Sequence, residues 1–241
     1  MTDNKKVAIV TGATRGIGRA VTVKLLDNNW NVVGVYLANE QKASGLERKY
    51  NNLLMIKADV GKEDEVKKAV NQTVQKFGGI DCVVNIAGID IFGEVEKYKT
   101  ENWDRMFAVN VKSGFLFCKY AIGYLKKSED PVIVNISSRL GTVEYAEANY
   151  ASYSACKAAV IVFSKALSRE LAKTKIRVNV LIPTSTKTDL LDQVYTKDEQ
   201  EELTRKGKLG KPEEAAELVW ELIQDRQANG VIRYDKRVFL K

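Results

Sequence analysis

The chain of 241 residues contains no histidine. This absence excludes histidine-ligated metal sites, and it also excludes the Ser-His-Asp and Cys-His forms of nucleophilic catalysis. Any general acid or base must therefore be a carboxylate, a tyrosine, a lysine or a cysteine. We predict no metal site.

Cysteine is scarce, and long apolar runs are missing. Cys82, Cys118 and Cys156 each lie in an apolar segment, and none belongs to a Cys-x-x-Cys pair. This pattern predicts reduced core thiols in a cytoplasmic protein. No apolar run is long enough to predict a membrane span. A strand is expected to begin at residue 6, which leaves no room for a signal peptide.

The positive charge is modest and dispersed. Lys and Arg number 38 against 31 Asp and Glu, which gives a formal net charge of +7. Because the two signs are interleaved without a basic stripe, we interpret the excess as solvated helix faces and predict no nucleic-acid partner. A nucleic-acid binder attracted by the positive charge remains an alternative.

The order of apolar segments indicates the fold class. Hydrophobic residues make up 45% of the chain, enough for one α/β domain over residues 1–241. Strands are predicted at 6–10, 31–37, 53–57, 81–85, 131–137, 177–182 and 231–239. Helices are predicted at 19–26, 63–77, 100–126, 151–173 and 212–224. Such alternation predicts a doubly wound parallel sheet with helices on both faces.

A glycine-rich turn follows the first predicted strand. Residues 11–18 read Thr-Gly-Ala-Thr-Arg-Gly-Ile-Gly and lead directly into helical apolar spacing. Glycines let a backbone approach a phosphate, and the helix N-terminus supplies free N–H groups. The spacing Gly-x-x-x-Gly-x-Gly differs from both the Gly-x-Gly-x-x-Gly fingerprint and the Walker loop. A Rossmann-type dinucleotide site is predicted, and a turn without a ligand is the alternative.

Tyr153 stands four residues before Lys157, in the string Tyr-Ser-Ala-Cys-Lys. This spacing places both side chains on one face of a helix. A phenol has an ordinary pKa of about 10, and an adjacent positive charge lowers the pKa because it favours phenolate. The pair is a candidate acid–base site, although a Tyr and a Lys also fall at this spacing by chance.

Further polar residues lie at predicted carboxyl ends of strands, where open α/β sheets bind ligands. They are Asp59, Asn85 with residues 86–88, Ser137 with Ser138, and residues 183–188. Each has a structural alternative, since Asp59 and Ser138 are suited to capping and Asn85 to holding a turn. Their shared placement favours a common site.

Together these strings resemble the short-chain dehydrogenase/reductase family over nearly the whole chain. The matching segments are residues 11–18, 59–60, 85–88, 110–111, 136–141, 153–157, 183 and 188–189. Within the family, the chain is most similar to the branch of the bacterial 3-oxoacyl-carrier-protein reductases.

The resemblance implies a catalytic set of Ser138, Tyr153, Lys157 and Asn110. Tyr153 is expected to protonate a ketone oxygen as hydride arrives, and Lys157 to lower the Tyr153 pKa and bind the nicotinamide ribose. Ser138 is expected to polarise the carbonyl, and Asn110 to hold a water that links Lys157 to solvent. The expected cofactor-binding residues are Gly12, Thr14, Arg15, Gly16, Ile17, Gly18, Asp59, Val60, Asn85, Ala87, Gly88, Lys157, Pro183 and Thr188.

Charge at the second strand bears on the cofactor. An acidic residue at its end would bind the adenosine ribose of NAD, but Tyr36 and Leu37 occupy that position. Arg15 is able to pair with a 2′-phosphate. The sequence therefore predicts NADP(H) ahead of NAD(H).

Several positions depart from the family pattern. Ile86 replaces a usual asparagine, which we expect to be tolerated. Thr184 replaces a usual glycine, and its Cβ is expected to crowd the nicotinamide or change the loop path. The segment between Ser138 and Tyr153 is slightly long for the 3-oxoacyl reductase branch, and the C-terminus lacks the usual Asp-Gly-Gly.

The substrate is the least determined feature. Residues 184–208 are polar and are predicted to form a substrate lid, whose lysines either meet an acidic carrier or are merely solvated. A small molecule or an acyl thioester is expected, with sugars and other secondary alcohols as alternatives. A catalytically silent NADP sensor or scaffold also remains open. The apolar helices around 103–125 and 160–171, which form a dimer contact in the family, predict a homodimer or homotetramer.

Overall fold

The computed structural model describes residues 5–239, whose centre is a parallel sheet. In chain order the strands are β1 (Val7–Thr11), β2 (Asn31–Tyr36), β3 (Leu53–Lys57), β4 (Cys82–Asn85), β5 (Val132–Ile136), β6 (Arg177–Ile182), β7 (Ser185–Thr186), β8 (Leu209–Gly210) and β9 (Ile232–Tyr234). Seven of them form the sheet in the order β3-β2-β1-β4-β5-β6-β9, and all neighbours are parallel. The short strands β7 and β8 pair with each other.

Helices cover both faces of the sheet, as parallel strands require. They are α1 (Gly16–Asp27), α2 (Glu40–Lys49), α3 (Glu63–Phe77), α4 (Thr100–Phe107), α5 (Ser113–Leu125), α6 (Ala151–Glu170), α7 (Leu191–Val194), α8 (Lys197–Arg205) and α9 (Pro212–Gln224). One core contains apolar residues of α1, α2 and α9, and the other contains those of α3, α5 and α6. In the described residues, no helix has the length and apolar character needed to cross a membrane.

The first strand shows why these segments read as continuous apolar runs. All five residues of β1 are buried. Ala8 and Val10 belong to the core on one face, whereas Ile9 belongs to the core on the other. Because alternate side chains point to opposite faces, a strand covered on both sides is apolar along nearly its whole length, and in β1 the exception is Thr11 at the carboxyl end.

The predicted doubly wound sheet is confirmed, with several differences in its elements. Helix α2 and the short strands β7 and β8 were not predicted. The helix predicted over 100–126 is divided by a π-helical turn at Ala108–Lys112, which separates α4 from α5. The strand predicted over 231–239 is wrong beyond Tyr234. There the Asp235 carboxylate accepts the backbone N–H of Arg237 at 2.9 Å and turns the chain into a short 3₁₀ helix.

The strand order places the ligand crevice. From β1 the chain first adds β2 and β3 on one side, and then crosses to β4 on the other side. The loops after β1 and β4 therefore diverge, which opens a crevice at their carboxyl ends. The glycine-rich turn and the segment after Asn85 lie at this crevice.

Candidate active site

A cavity of about 370 Å³ lies at the carboxyl ends of β1 to β6. Most residues predicted for the site line it: Gly12, Thr14, Arg15, Gly16, Ile17, Gly18, Asp59, Val60, Ala87, Gly88, Ser138, Tyr153, Lys157, Pro183 and Thr188. Asn85 and Asn110 are outside this lining, and each acts on it through a neighbour.

The turn between β1 and α1 has the form of an anion cradle. Gly16 has φ of 49°, in the left-handed region that favours glycine. A Cβ on Gly18 would lie 2.1 Å from the carbonyl oxygen of Gly12, so the close approach of helix and turn requires glycine. Arg15, the residue before the helix, makes no side-chain cap to the first N–H groups of α1, and the first three residues of the helix line the cavity. These features fit the pyrophosphate of a dinucleotide.

The segment after β4 is joined to this turn. The hydroxyl oxygen of Thr11 accepts the backbone N–H groups of Ile86 and Ala87, both at 2.9 Å. The Ile86 N–H is thus satisfied without an asparagine side chain. Asn85 lies behind the wall, where its side-chain amide donates to Asn135 Oδ1 at 2.8 Å.

Asn110 lies in the π-helical turn and is buried. Its Nδ2 donates to the carbonyl of Ile89 at 2.9 Å and to that of Met106 at 3.0 Å, and its Oδ1 accepts the N–H of Ile89 at 3.3 Å. π-Turns interrupt the regular hydrogen-bond ladder and often occur at functional sites. Asn110 therefore fixes the backbone after Gly88, and its role in holding a water stays a prediction.

Tyr153 and Lys157 lie one turn apart on α6, beside the end of β5. Lys157 is buried, and its Nζ donates to the carbonyl of Ile136 at 3.2 Å. The same nitrogen lies 5.5 Å from the centre of the Tyr153 ring. The Ser137 hydroxyl donates to the Lys157 carbonyl at 2.8 Å, which ties α6 to β5.

Burial controls the protonation of this pair. It raises the pKa of Tyr153 above its ordinary value; negative charge at Asp90 adds to the increase, and a hydrogen bond with Ser138 opposes it. Burial also lowers the pKa of Lys157 to about 8. Desolvation disfavours the phenolate more than the available contacts favour it, and the lowering of the Tyr153 pKa by Lys157 stays a prediction.

Ser138 follows β5 and begins a 3₁₀ turn over Arg139–Gly141. Its hydroxyl oxygen accepts the N–H of Leu140 at 3.2 Å and is also hydrogen-bonded with Tyr153. A Cβ on Gly141 would lie 2.6 Å from the Lys157 carbonyl carbon, so glycine lets this turn pack against α6. The Ser-x-x-Gly spacing therefore brings Ser138 to Tyr153.

The cavity extends along the ends of β2 and β3. Leu37 and Asn39 line it after β2, where no carboxylate is present among the lining residues. Arg15 Nη1 and Lys42 Nζ lie 3.8 and 3.7 Å from the same oxygen, Oδ2 of Asp189. Two cationic side chains thus converge on one anionic group at this end.

Asp59 closes the wall after β3. Although burial raises the pKa of Asp59, the hydrogen bond from the N–H of Gly61 and the ion pair with Arg105 outweigh it and hold the pKa below its ordinary value. Arg105 Nη1 lies 3.0 and 2.9 Å from the two carboxylate oxygens. Arg105 lines the cavity as well, and sequence reasoning missed it because it reaches the site from α4.

The substrate end includes the predicted lid. The Thr184 hydroxyl donates to the carbonyl of Lys208 at 2.7 Å, so the residue that replaces a glycine joins the two ends of segment 184–208. Leu191 and Tyr195 of this segment line the cavity. Asp90 also lines the cavity and was not predicted. The sequence feature that could have indicated it is a single carboxylate between two isoleucines, directly after the Ala-Gly pair.

The cysteines supply no nucleophile. All three are buried and unpaired. Burial raises the pKa of Cys82 above its ordinary range, that of Cys118 to about 12 and that of Cys156 to about 11. Within residues 5–239, no three Cys, Asp or Glu side chains are grouped in a way that could hold a metal ion.

Known proteins match both the sequence and the fold. The family model described as short chain dehydrogenase matches residues 6–199. The chain belongs to the short-chain dehydrogenase family. A 3-oxoacyl-[acyl-carrier-protein] reductase, FabG, of Thermotoga maritima is 33% identical over 231 residues, which are 92% of each chain.

Two solved structures of short-chain dehydrogenase relatives are also similar to the whole chain. A short chain dehydrogenase from Burkholderia cenocepacia in complex with NADP has a TM-score of 0.88 and 29% identity, and the match covers 95% of both chains. An aldohexose dehydrogenase of Thermoplasma acidophilum has a TM-score of 0.84 and 30% identity, with 96% of this chain and 92% of that chain covered. Family membership and this fold make the chain an oxidoreductase.

Proposed function

We propose that this chain is an NADPH-dependent carbonyl reductase. The observation that supports it most is the meeting of Ser138, Tyr153 and Lys157 in the cavity beside the glycine-rich turn. A proton donor, a polar group for an oxygen and a cation occupy the places that carbonyl reduction needs. Because all of these side chains are chemically competent, a silent sensor or scaffold is the weaker alternative.

The protonation states favour reduction. The Tyr153 phenol is protonated at neutral pH even at its ordinary pKa of about 10, so it is able to donate to a carbonyl oxygen. Ser138 hydrogen-bonds the same oxygen and orients it. A nicotinamide held beside Tyr153 and Lys157 would supply the hydride that the carbonyl carbon needs. As the proton leaves, the Lys157 ammonium stabilises the phenolate of Tyr153, which then recovers a proton from solvent.

The adenosine end supports NADP(H) over NAD(H). Arg15 and Lys42 both approach Asp189 Oδ2, so a phosphate in that region would meet two positive charges. Leu37 and Asn39, rather than a carboxylate, follow β2. The relative from Burkholderia cenocepacia was solved with NADP.

Two substrate classes have support from relatives. The name of the Thermotoga relative favours a 3-oxoacyl thioester. The name of the Thermoplasma relative favours a sugar or other secondary alcohol, which is our alternative.

We also propose the organisation predicted from the sequence. Residues 1–241 form one NAD(P)-binding domain, in which segment 184–208 covers the substrate. The protein is a cytoplasmic homodimer or homotetramer without a nucleic-acid partner. Phe115 of α5 and Val162 of α6 are exposed apolar side chains on the two helices expected at the contact.

A spectrophotometric assay of NADPH oxidation tests the function. The panel contains an acetoacetyl thioester, a simple diketone and a keto sugar, and NADH is compared with NADPH. We expect turnover of at least one ketone and a lower KM for NADPH. No turnover on any of them, despite tight NADPH binding, would instead support the sensor.

A further inference from the structure

Asp90 places a carboxylate inside the catalytic cavity, beside the proton donor. It lies two residues after Gly88, in the segment that follows β4, and it lines the same cavity as Tyr150 and Tyr153. The mechanism described above does not use it. Burial is the main cause of the raised pKa of Tyr153, and the negative charge of Asp90 adds to it, as expected for a carboxylate close to the proton donor.

Side chains of other elements hold the backbone in place on both sides of Asp90. Asn110 hydrogen-bonds both the N–H and the carbonyl of Ile89, at 3.3 and 2.9 Å. The Tyr98 hydroxyl donates to the carbonyl of Ile91 at 2.5 Å, and Tyr98 in turn accepts from Ser152 of α6 at 2.9 Å. A residue fixed on both sides is preorganised, so its side chain presents a defined position to a ligand.

Oδ1 of Asp90 is buried, and no donor among residues 5–239 hydrogen-bonds it. Its ionisable neighbours are Tyr150, Tyr153, Cys156 and Lys157. Burial raises the pKa of Asp90 to about 6, and the positive charge of Lys157 opposes this increase. At neutral pH the group is therefore an ionised acceptor. A buried acceptor without a donor lowers stability and calls for an explanation.

We propose that Asp90 is a specificity-determining residue that accepts a hydrogen bond from a hydroxyl or ammonium group of the substrate near the reacting carbonyl. This inference rests on the proposed carbonyl reductase function and names the substrate class: hydroxy ketones or amino ketones, and the corresponding polyols or amino alcohols in the reverse direction.

The chemistry of the alternative substrate supports this choice. Close to its reacting carbonyl, a 3-oxoacyl thioester has only methylene groups and a second carbonyl, and none of these donates a hydrogen bond. Bound beside Asp90, it would bury an ionised carboxylate against apolar groups and another acceptor, which is unfavourable. A site with a buried hydrogen-bonding group rejects analogues that lack its partner far more strongly than an apolar pocket rejects an extra hydroxyl.

One pair of ketones with nearly the same shape tests the inference. 4-Hydroxy-2-butanone is compared with 2-pentanone, in which a methyl replaces the hydroxyl, and an acetoacetyl thioester completes the series. The values of kcat and KM are measured with NADPH for wild type, Asp90→Asn and Asp90→Leu. A second readout is the increase in melting temperature that each ketone gives the NADP⁺-loaded protein, which requires no turnover.

For wild type, we expect kcat/KM to favour the hydroxy ketone over 2-pentanone by about tenfold or more, because the site is only partly shielded from solvent. Asp90→Leu should bring this ratio to near one, chiefly through KM, and should remove the extra thermal stabilisation. Asp90→Asn keeps an acceptor of the same shape and should retain part of the preference.

Other outcomes distinguish the two proposals. Turnover of the thioester and both ketones with a ratio that Asp90→Leu does not change would overturn the role of Asp90 while preserving the reductase. Selective thermal stabilisation by the hydroxy ketone without turnover would support Asp90 as the recognition residue and refute the reductase function. The absence of both turnover and selective stabilisation would overturn both proposals.

Discussion

The Lys157 ammonium lies 5.5 Å from the centre of the Tyr153 ring and is held there by a hydrogen bond to the carbonyl of Ile136. The lysine is thus fixed by the end of a strand, and the tyrosine by the helix that both residues share. The Tyr-x-x-x-Lys spacing alone does not say what each residue does, whereas this geometry gives the two side chains different roles. The phenol exchanges the proton, and the ammonium adjusts the energy of that exchange.

Replacing Tyr153 tests the first role. Tyr153→Phe keeps the ring and removes the proton donor, so we expect kcat to fall by about 10²- to 10⁴-fold. The dissociation constant of NADPH, measured by fluorescence, should change little. The comparison variant is Tyr150→Phe, which alters a second tyrosine of the same cavity that has no lysine four residues on. A larger loss of kcat for Tyr150→Phe than for Tyr153→Phe would mean that Tyr153 is not the proton donor.

The depressed pKa of Lys157 predicts a pH dependence of stability. Its folded-state value of about 8 lies below the ordinary 10.5. Below pH 8 the buried charge destabilises the native state, and the penalty disappears as the pH rises to 10.5, because the unfolded state alone binds the proton in that window. We compare the free energy of unfolding of the cofactor-free wild type with that of Lys157→Met. The difference, wild type minus variant, should rise by about 3 kcal/mol between pH 8 and pH 10.5.

Urea unfolding of both proteins at several pH values measures this difference. Comparison with the variant cancels the tyrosines and cysteines, whose raised pKa values act in the opposite direction at alkaline pH. A constant difference between the two proteins would mean that Lys157 keeps an ordinary pKa, and that an opposite charge such as Asp90 compensates for its burial.

Local sequence patterns predicted most of the sheet, and most of the residues predicted for the site line the cavity. Strands β3 and β6 and helices α3 and α9 have the predicted bounds, because apolar runs and helix signals are local properties. The glycine-rich turn and Ser138 were found for the same reason.

The residues that were missed depend on distant contacts. Asp90 became a site residue only because Asn110 and Tyr98 fix the chain on either side of it. Likewise, the direction of the Tyr153 pKa follows from burial, which the Tyr–Lys spacing does not contain. The end of the strand at Tyr234 depends on a carboxylate that turns the chain one residue later.

The cations at the adenosine end predict cofactor preference. Arg15→Leu should raise the KM for NADPH by about tenfold and leave that for NADH nearly unchanged, because it removes a charge-assisted contact to a phosphate. Asp189→Asn should have the opposite effect on NADPH, since Asp189 is the carboxylate that Arg15 and Lys42 approach.

Arg19→Leu is the matched control, because Arg19 is an exposed arginine of α1 outside the cavity lining. It should leave both KM values nearly unchanged. Equal effects of Arg15→Leu on NADPH and NADH would contradict a 2′-phosphate contact and would favour a general effect on the glycine-rich turn.

Exposed apolar side chains on α5 and α6 predict the assembly. Val162→Glu places a charge at a valine that is 68% exposed, and should convert a dimer or tetramer to a smaller species in light scattering. Val95→Glu changes a valine that is 73% exposed and belongs to neither helix, so the native assembly should persist. A wild-type monomer at micromolar concentration refutes the predicted oligomer.

The hydrogen bond between Thr184 and Lys208 joins the two ends of segment 184–208, the proposed substrate lid. Thr184→Val keeps the volume of this buried residue and removes the donor to the Lys208 carbonyl. The loss should cost about 1 kcal/mol of local stability. Hydrogen exchange measured by mass spectrometry should accelerate in this segment but not in β1. The KM for the ketone should rise several-fold, with a smaller change for NADPH. The control Thr174→Val removes a donor to the Leu171 carbonyl at 2.7 Å, together with the acceptor of the Ile176 N–H, at a residue outside the cavity lining. If both variants leave exchange in 184–208 unchanged, Thr184 does not fasten the lid.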